Sequence, residues 1–214
     1  MLRKELNEII DILKEEYPQA ECSLRWKSPL ELLICTQLSA QCTDMRVNMV
    51  TPALFARFPD AQSFADADVA EIEEYIKSTG LFRSKAKNIK ACCRKIIDDY
   101  GGNVPDSMEE LVKLPGTGRK TANLVLGEYF GKPAYVVDTH MIRLTHLIGI
   151  SDGRDAVSIE KDLRKLIPPE DPQSKDALLL SHMLIDHGRK VCIANRPQCG
   201  ECCLKEKCFY QTQK

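Results

Sequence analysis

The 214-residue chain predicts an all-α protein. Three observations carry that prediction. Apolar residues recur at helical spacing, beginning with Leu2, Leu6, Ile9, Ile10 and Leu13. Glycine and proline punctuate the pattern at Gly80, Gly101-Gly102, Pro105, Pro115-Gly116, Gly131 and Pro133, Gly149 and Pro168-Pro169. Only Ala134-Tyr135-Val136-Val137 has the look of a strand, and it is short.

Residues 1–17 carry the first amphipathic helix. The irregular stretch PQAECSLRW separates it from the second. Ser28-Pro29 opens that second helix, with serine as N-cap and proline in the first turn. Its pattern runs on through LELLICTQLSAQCTDMRVNMV, after which Thr51-Pro52 starts another short helix. Further helices are expected at 68–78, 84–100, 106–112, 119–130, 139–148, 156–166 and 174–189. No repeat and no low-complexity segment is present.

Composition narrows the function classes. Lys and Arg number 30 against 31 Asp and Glu, so the net charge is -1 and any basic face must be local. No stretch approaches the ~18 apolar residues that span a bilayer. The N-terminus is amphipathic and charged and does not resemble a signal peptide. The expected compartment is the cytoplasm, where thiols stay reduced. Cys22, Cys35, Cys42, Cys92 and Cys93 then read as small buried or half-buried residues within helical patterns.

The other cysteines are different. Cys192, Cys199, Cys202 and Cys208 follow the spacing C-x6-C-x2-C-x5-C near the C-terminus, with Cys203 inside the cluster but outside the clean spacing. Four thiolates packed this closely are most simply ligands of one metal centre. Zinc and an iron–sulfur cluster both accept four thiolates. Only one C-x2-C knuckle is present, and the wider gaps suit a larger cuboidal cluster better than a zinc ribbon.

A second signal is Leu114-Pro115-Gly116-Thr117-Gly118-Arg119-Lys120-Thr121-Ala122-Asn123. A short helix ends, a turn with two glycines comes next, and a new helix begins near Arg119. Gly116 and Gly118 can take positive φ and let backbone N–H groups approach an anion. The start of the next helix adds its unpaired N–H groups and positive dipole end. The loop is either a plain helix–turn–helix linker or, as the complete L-P-G-T-G-R-K-T-A context favours, a device that grips phosphate and reads no base; its spacing is not that of a Walker A loop. Lys120 in that first turn is electrostatically awkward. It is either a solvated phosphate contact or an amine whose pKa is depressed by the dipole, Arg119 and partial desolvation. Asp138, where the apolar run 134–137 meets a helix, is either an N-cap or a carboxylate set to take a proton or stabilise positive charge.

Together LPGTGRKTAN, the downstream VVDTHMIR and the terminal cysteines resemble the endonuclease III family of helix–hairpin–helix DNA base-excision glycosylases. LSAQCTD at 38–44 and GLFRSKAKNI at 80–89 resemble further segments of that family, so the resemblance covers essentially the whole chain. It implies two helical domains flanking a DNA-binding cleft. One is a six-helix barrel at 22–132 holding the helix–hairpin–helix at about 106–130; the other joins 1–21 to 133–214 around a [4Fe-4S] cluster on Cys192, Cys199, Cys202 and Cys208. The resemblance makes Lys120 the nucleophile and Asp138 its partner in a glycosylase and abasic-site lyase for oxidised pyrimidines. It assigns Gln41 and Leu81, otherwise a surface glutamine and a turn leucine, to filling the hole left by a flipped base. Leu114, Gly116, Gly118, His140, Arg143, Lys205 and Lys207 become DNA contacts. The implied partner is damaged double-stranded DNA, met by a monomer on a bacterial or archaeal nucleoid, with no membrane.

Other readings stay open at this stage. A monofunctional adenine-mismatch glycosylase generally lacks the lysine kept here at position 120 and carries a further C-terminal domain. A bifunctional enzyme for pyrimidine dimers would carry much the same motifs. A cluster protein that binds DNA or senses redox state without catalysis would form no product.

Overall fold

The computed structural model describes residues 1–212, and among them no strand occurs. In chain order the helices are α1 (Arg3–Glu16), α2 (Pro29–Leu38), α3 (Asp44–Arg57), α4 (Ala61–Asp66), α5 (Val69–Ile76) and α6 (Phe82–Tyr100). Then come α7 (Met108–Leu111), α8 (Arg119–Glu128), α9 (Thr139–Ile148), α10 (Ala156–Leu166), α11 (Ala177–Lys190) and α12 (Phe209–Thr212). Short 3-10 turns lie at Lys77–Thr79, Pro172–Asp176, Cys199–Glu201 and Lys205–Lys207. No helix among the described residues is long and apolar enough to cross a membrane.

Three local expectations are corrected. The helix expected to run from Pro29 through residue 50 breaks after Leu38. Ser39 turns its hydroxyl back onto the Thr36 carbonyl at 2.8 Å, Gln41 takes a left-handed φ of 53°, and Thr43 accepts from Arg46 N to cap α3. The apolar periodicity continues across the gap and masks that N-cap. Pro52 lies inside α3 rather than starting a helix. Residues 134–137 are buried but form no strand; Val136 N donates to the Ser181 hydroxyl of α11 at 3.0 Å. The short helix α4 is hidden in the sequence by its length; Asp60 and Ser63 form its capping box.

The chain divides into two compact units. One is Cys22–Phe130. Its long helix α6 buries Lys85, Ala86, Ile89, Cys92, Cys93 and Ile96 along one stripe and packs on α4, α5 and α2. Helix α2 is buried continuously from Leu32 to Leu38, as a core helix should be. Phe58, Phe64 and Tyr75 form an aromatic cluster, with ring centroids 4.9 Å and 5.8 Å from Phe58.

The other unit joins Met1–Glu21 to the chain from Gly131 onward. Its core takes Leu6, Ile9, Ile10 and Leu13 from α1, Met141 and Leu144 from α9, Ile159 and Leu163 from α10, and Leu180, Met183 and Leu184 from α11. Full burial of such side chains contributes about 1.5–3 kcal/mol each before entropy is counted. An ion pair between Lys14 and Asp176 at 2.8 Å joins α1 to the turn before α11. The first helix therefore completes a core built largely from the last third of the chain. Leu204, from the cysteine loop, is buried in the same core.

Candidate functional site

The hairpin lies between α7 and α8. Thr117 N donates to the Leu114 carbonyl at 3.0 Å, closing the turn. Gly116 sits at φ +75°, which a side chain rarely adopts. A Cβ there would also lie 3.0 Å from Asn88 Cβ and 3.2 Å from Gln37 Oε1. Gln37, buried in α2, donates through Nε2 to the Pro115 carbonyl and the Thr117 hydroxyl, each at 3.1 Å. The loop is thus clamped from inside. Sequence reasoning missed Gln37; the signal was one amide in an otherwise apolar helical run.

Two expectations about this loop change. Gly118 has φ -92° and is the N-cap of α8, so it does not supply a left-handed residue. Its value is space: nothing lies within 4 Å of where its Cβ would be, and no side chain caps the helix start. Leu114 is a core residue, only 2% exposed, and serves the hairpin through its carbonyl rather than as a surface contact. The first N–H groups of α8 therefore end an uncapped ten-residue helix, where the dipole favours an anion. Arg119 and Lys120 are exposed in its first turn. Gly118, Arg119 and Lys120 are all exposed at the helix end, the surroundings of the solvated one of the two readings open for Lys120.

Asp138 belongs to the unit that contains α9. It is half-buried at the end of the buried run 134–137, and its Oδ1 accepts from Met141 N at 2.9 Å. The side chain is the N-cap of α9, one of the two roles its sequence context suggests. Two residues on, the partly buried His140 packs against Gly188 of α11; a Cβ on that glycine would lie 2.8 Å from His140 Nδ1.

Gln41 and Leu81 share an uncommon feature. Both are non-glycine residues with left-handed φ, 53° and 46°, and both are exposed. Leu81 shows 59% of its surface although it precedes a long core helix. Their loops are neighbours within one unit, since a Cβ on Gly80 would sit 3.9 Å from the Gln41 carbonyl. Strained backbone and an exposed apolar side chain mark functional positions more often than structural ones.

The terminal cysteines lie around a common cavity. Cys192, Cys199, Cys202 and Cys208 all line one cavity of about 320 Å³, and Cys203 does not. Cys203 packs against the neighbouring hydrophobic core, as Cys192 and Cys202 also do. Among the described residues no three His, Cys, Asp or Glu side chains come close enough to hold a single metal ion. Four thiols on one cavity wall are a donor set that zinc or an iron–sulfur centre accepts.

The cavity wall has its own polar framework. The Arg143 guanidinium donates to the carbonyls of Gly188 and Cys192, so this partly exposed residue braces the start of the cysteine loop. Burial raises the Cys192 and Cys202 thiols above the ordinary range, and Arg143 opposes that rise at Cys192. Buried His187 approaches Cys202 Sγ through Nε2 at 3.5 Å, while Nδ1 meets the Tyr17 hydroxyl at 2.8 Å. Burial pushes His187 down to about 4, so the ring is neutral near pH 7. Lys205 is exposed; Lys207 is exposed and paired with Glu8 of α1.

An exposed first turn after a glycine hairpin and a four-thiol cavity together define a helical class whose comparisons are specific. The model of the HhH-GPD superfamily base excision DNA repair protein matches residues 34–169. The chain is 53% identical to endonuclease III of Synechocystis sp. over 96% of its own length and 92% of the relative's. It is 43% identical to endonuclease III of Bacillus subtilis over the same shares. A solved structure described as a trapped endonuclease III–DNA covalent intermediate, an estranged-adenine complex, superposes with a TM-score of 0.90 at 39% identity, covering 100% of this chain and 98% of that one. The chain belongs to the endonuclease III family of the HhH-GPD superfamily.

Proposed function

We propose that this chain excises oxidised pyrimidines from duplex DNA and then cleaves the resulting abasic site, with the Lys120 amine as nucleophile. One observation carries the reading: Lys120 stands exposed in the first turn of an uncapped helix, directly after a hairpin whose backbone is clamped by Gln37. Backbone phosphate drawn to that helix start puts the sugar of a nearby nucleotide beside the amine.

The chemistry balances without an external oxidant or reductant. A damaged base stacks and pairs poorly, so extruding it costs less than extruding a normal one. Leu81 wedges into the gap and Gln41 offers hydrogen bonds to the orphaned partner base. The amine adds to C1′, the C1′–N bond breaks, and the base leaves with a proton. Asp138 takes up or passes on that proton and stabilises positive charge on the sugar. The sugar ring opens to an iminium on Lys120. Loss of a C2′ proton then expels the 3′ phosphate by β-elimination, and water hydrolyses the imine to restore the amine.

The unit Cys22–Phe130 serves as the barrel domain of this enzyme, and the other as its cluster domain. Cys192, Cys199, Cys202 and Cys208 would hold a [4Fe-4S] cluster, whose contribution is to order the loop between Cys199 and Cys208. That order presents Lys205 and Lys207 for phosphate contact. Lys207 must exchange Glu8 for phosphate, a small cost because an exposed ion pair is screened by solvent. His140, held against Gly188, is retained as a DNA contact, whereas Arg143 acts by bracing the loop. Damaged double-stranded DNA is the partner, and the bacterial nucleoid is the expected site of action.

Borohydride trapping on a duplex containing thymine glycol tests the proposal. Wild-type protein is expected to form a covalent adduct and to nick the strand. Lys120→Gln is expected to do neither while still binding the duplex. Trapping by Lys120→Gln would remove the nucleophile assignment, and tight binding without any product from wild-type protein would favour a non-catalytic cluster protein.

A further inference from the structure

Lys85 is a buried lysine with only 6% of its surface exposed, on the apolar stripe of α6. Its ammonium donates to two backbone carbonyls, Leu38 and Thr79, each at 2.7 Å. Leu38 is the last residue of α2, and the chain turns away immediately after it, with Cys42 N bonding the Ser39 carbonyl. The Leu38 carbonyl is therefore one of the orphaned acceptors of a helix C-terminus, where a cation is favoured. Thr79 closes the 3-10 turn before Gly80 and Leu81. The Lys85 backbone N–H, in turn, donates to the Leu81 carbonyl at 3.0 Å.

These bonds stand just upstream of both strained loop tips. Gln41 lies three residues beyond Leu38, and Leu81 two residues beyond Thr79. Both tips carry left-handed φ on non-glycine residues, a conformation that persists only where surrounding contacts enforce it. A single ammonium thus bonds the chain just ahead of each tip.

We propose that Lys85 is a positioning residue that joins the Gln41 and Leu81 loops into one two-pronged wedge and sets the spacing at which they enter the duplex. This rests on the reading of those tips as the groups that fill the vacated base position. Lys85 does not touch substrate. It acts by holding two backbones that would otherwise relax independently. A misplacement of about 1 Å in such a constellation can cost ~100-fold in rate.

A coupling experiment tests this. Single-turnover excision is measured on a thymine-glycol duplex carrying 2-aminopurine beside the lesion, whose fluorescence reports base unstacking. Four proteins are compared: wild type, Lys85→Met, the pair Gln41→Ala with Leu81→Ala, and all three changes together. Lys85→Met is expected to slow unstacking and excision by ~10- to 100-fold in the native background. It is expected to add little once both tips are alanine, because it acts through them. Cleavage of a single-stranded abasic oligonucleotide, which needs no extrusion, should be unchanged by Lys85→Met. Equal losses in both backgrounds would overturn the proposal while leaving the wedge reading intact. A tip double variant with full duplex activity would instead refute the wedge reading, and this proposal with it. Should Lys85→Met fail to fold, Lys85→Arg keeps the charge but alters the reach to the two carbonyls and carries the same cycle.

Discussion

Gly116→Ala and Gly118→Ala are one chemical change made two residues apart, and the structure assigns them different outcomes. At Gly116 the left-handed φ of +75° costs an alanine about 1–2 kcal/mol. The added methyl would meet Asn88 Cβ at 3.0 Å and Gln37 Oε1 at 3.2 Å, closer than ordinary packing. Displacing Gln37 weakens its bonds to Pro115 and Thr117. Overpacking of this kind adds about 1–3 kcal/mol, so the expected loss is roughly 2–5 kcal/mol. At Gly118 the φ of -92° suits any residue and nothing lies within 4 Å. The gain in unfolded-chain rigidity and the poorer N-cap largely offset, leaving stability within about 0.5 kcal/mol. Gly118→Ala should instead weaken duplex binding, because its methyl occupies the open space at the start of α8. Urea unfolding followed by fluorescence of Trp26 is a suitable assay. That tryptophan is the only one in the chain and packs edge-on to Tyr129, 6.0 Å away, in the same unit as the hairpin. Equal destabilisation by the two substitutions, or a loss below about 1 kcal/mol at Gly116, would refute the account of the clamped turn.

Asp138 has separable roles. Asp138→Asn keeps an N-cap of equal quality, so it should retain stability while losing about 100-fold in excision rate; Asp138→Ala should lose the same activity and about 1 kcal/mol besides, read by urea melts. Cys199→Ser should abolish the visible absorbance of the assembled cluster, whereas Cys203→Ser should leave it intact, because Cys203 is not in the cavity wall. Burial raises Cys35 to about 12 and Cys92 to about 11, and holds Cys93 higher still. A folded pKa above the unfolded one stabilises the protein fully below the ordinary thiol value near ~8.5 and loses that stability as pH rises toward the folded values. The urea midpoint should therefore fall from about pH 8.5 upward. Cys93→Ala should show a shallower fall, and an unchanged slope would exclude the buried thiols as its cause.

Local signals are legible where a short stretch of chain determines its own geometry. The glycine hairpin, Ser28 and Asp138 at helix starts, and the spacing of the four cysteines depend on neighbours a few residues away. The break between α2 and α3 is not legible. Its cap, Thr43, sits inside an apolar pattern that reads as continuous, and the turn depends on a left-handed Gln41. Arg143 looks like an outward charge in VVDTHMIR. Its carbonyl acceptors lie 45 and 49 residues further along the chain, beyond any local pattern. Leu114 reads with the hairpin's surface, although its side chain belongs to the core beneath it.

By itself, then, the amino-acid order determined the helical class, the glycine turn with Lys120 beside it and the set of thiols, because periodicity, caps and residue spacing are short-range properties. Only the tertiary structure decided which groups hold those parts still. Gln37 reaches Pro115 across 78 positions, Lys85 reaches Leu38 across 47, and Tyr17 reaches His187 across 170. The physical reason is that a buried polar group must find a partner wherever packing places one, and packing pairs residues that are remote along the chain.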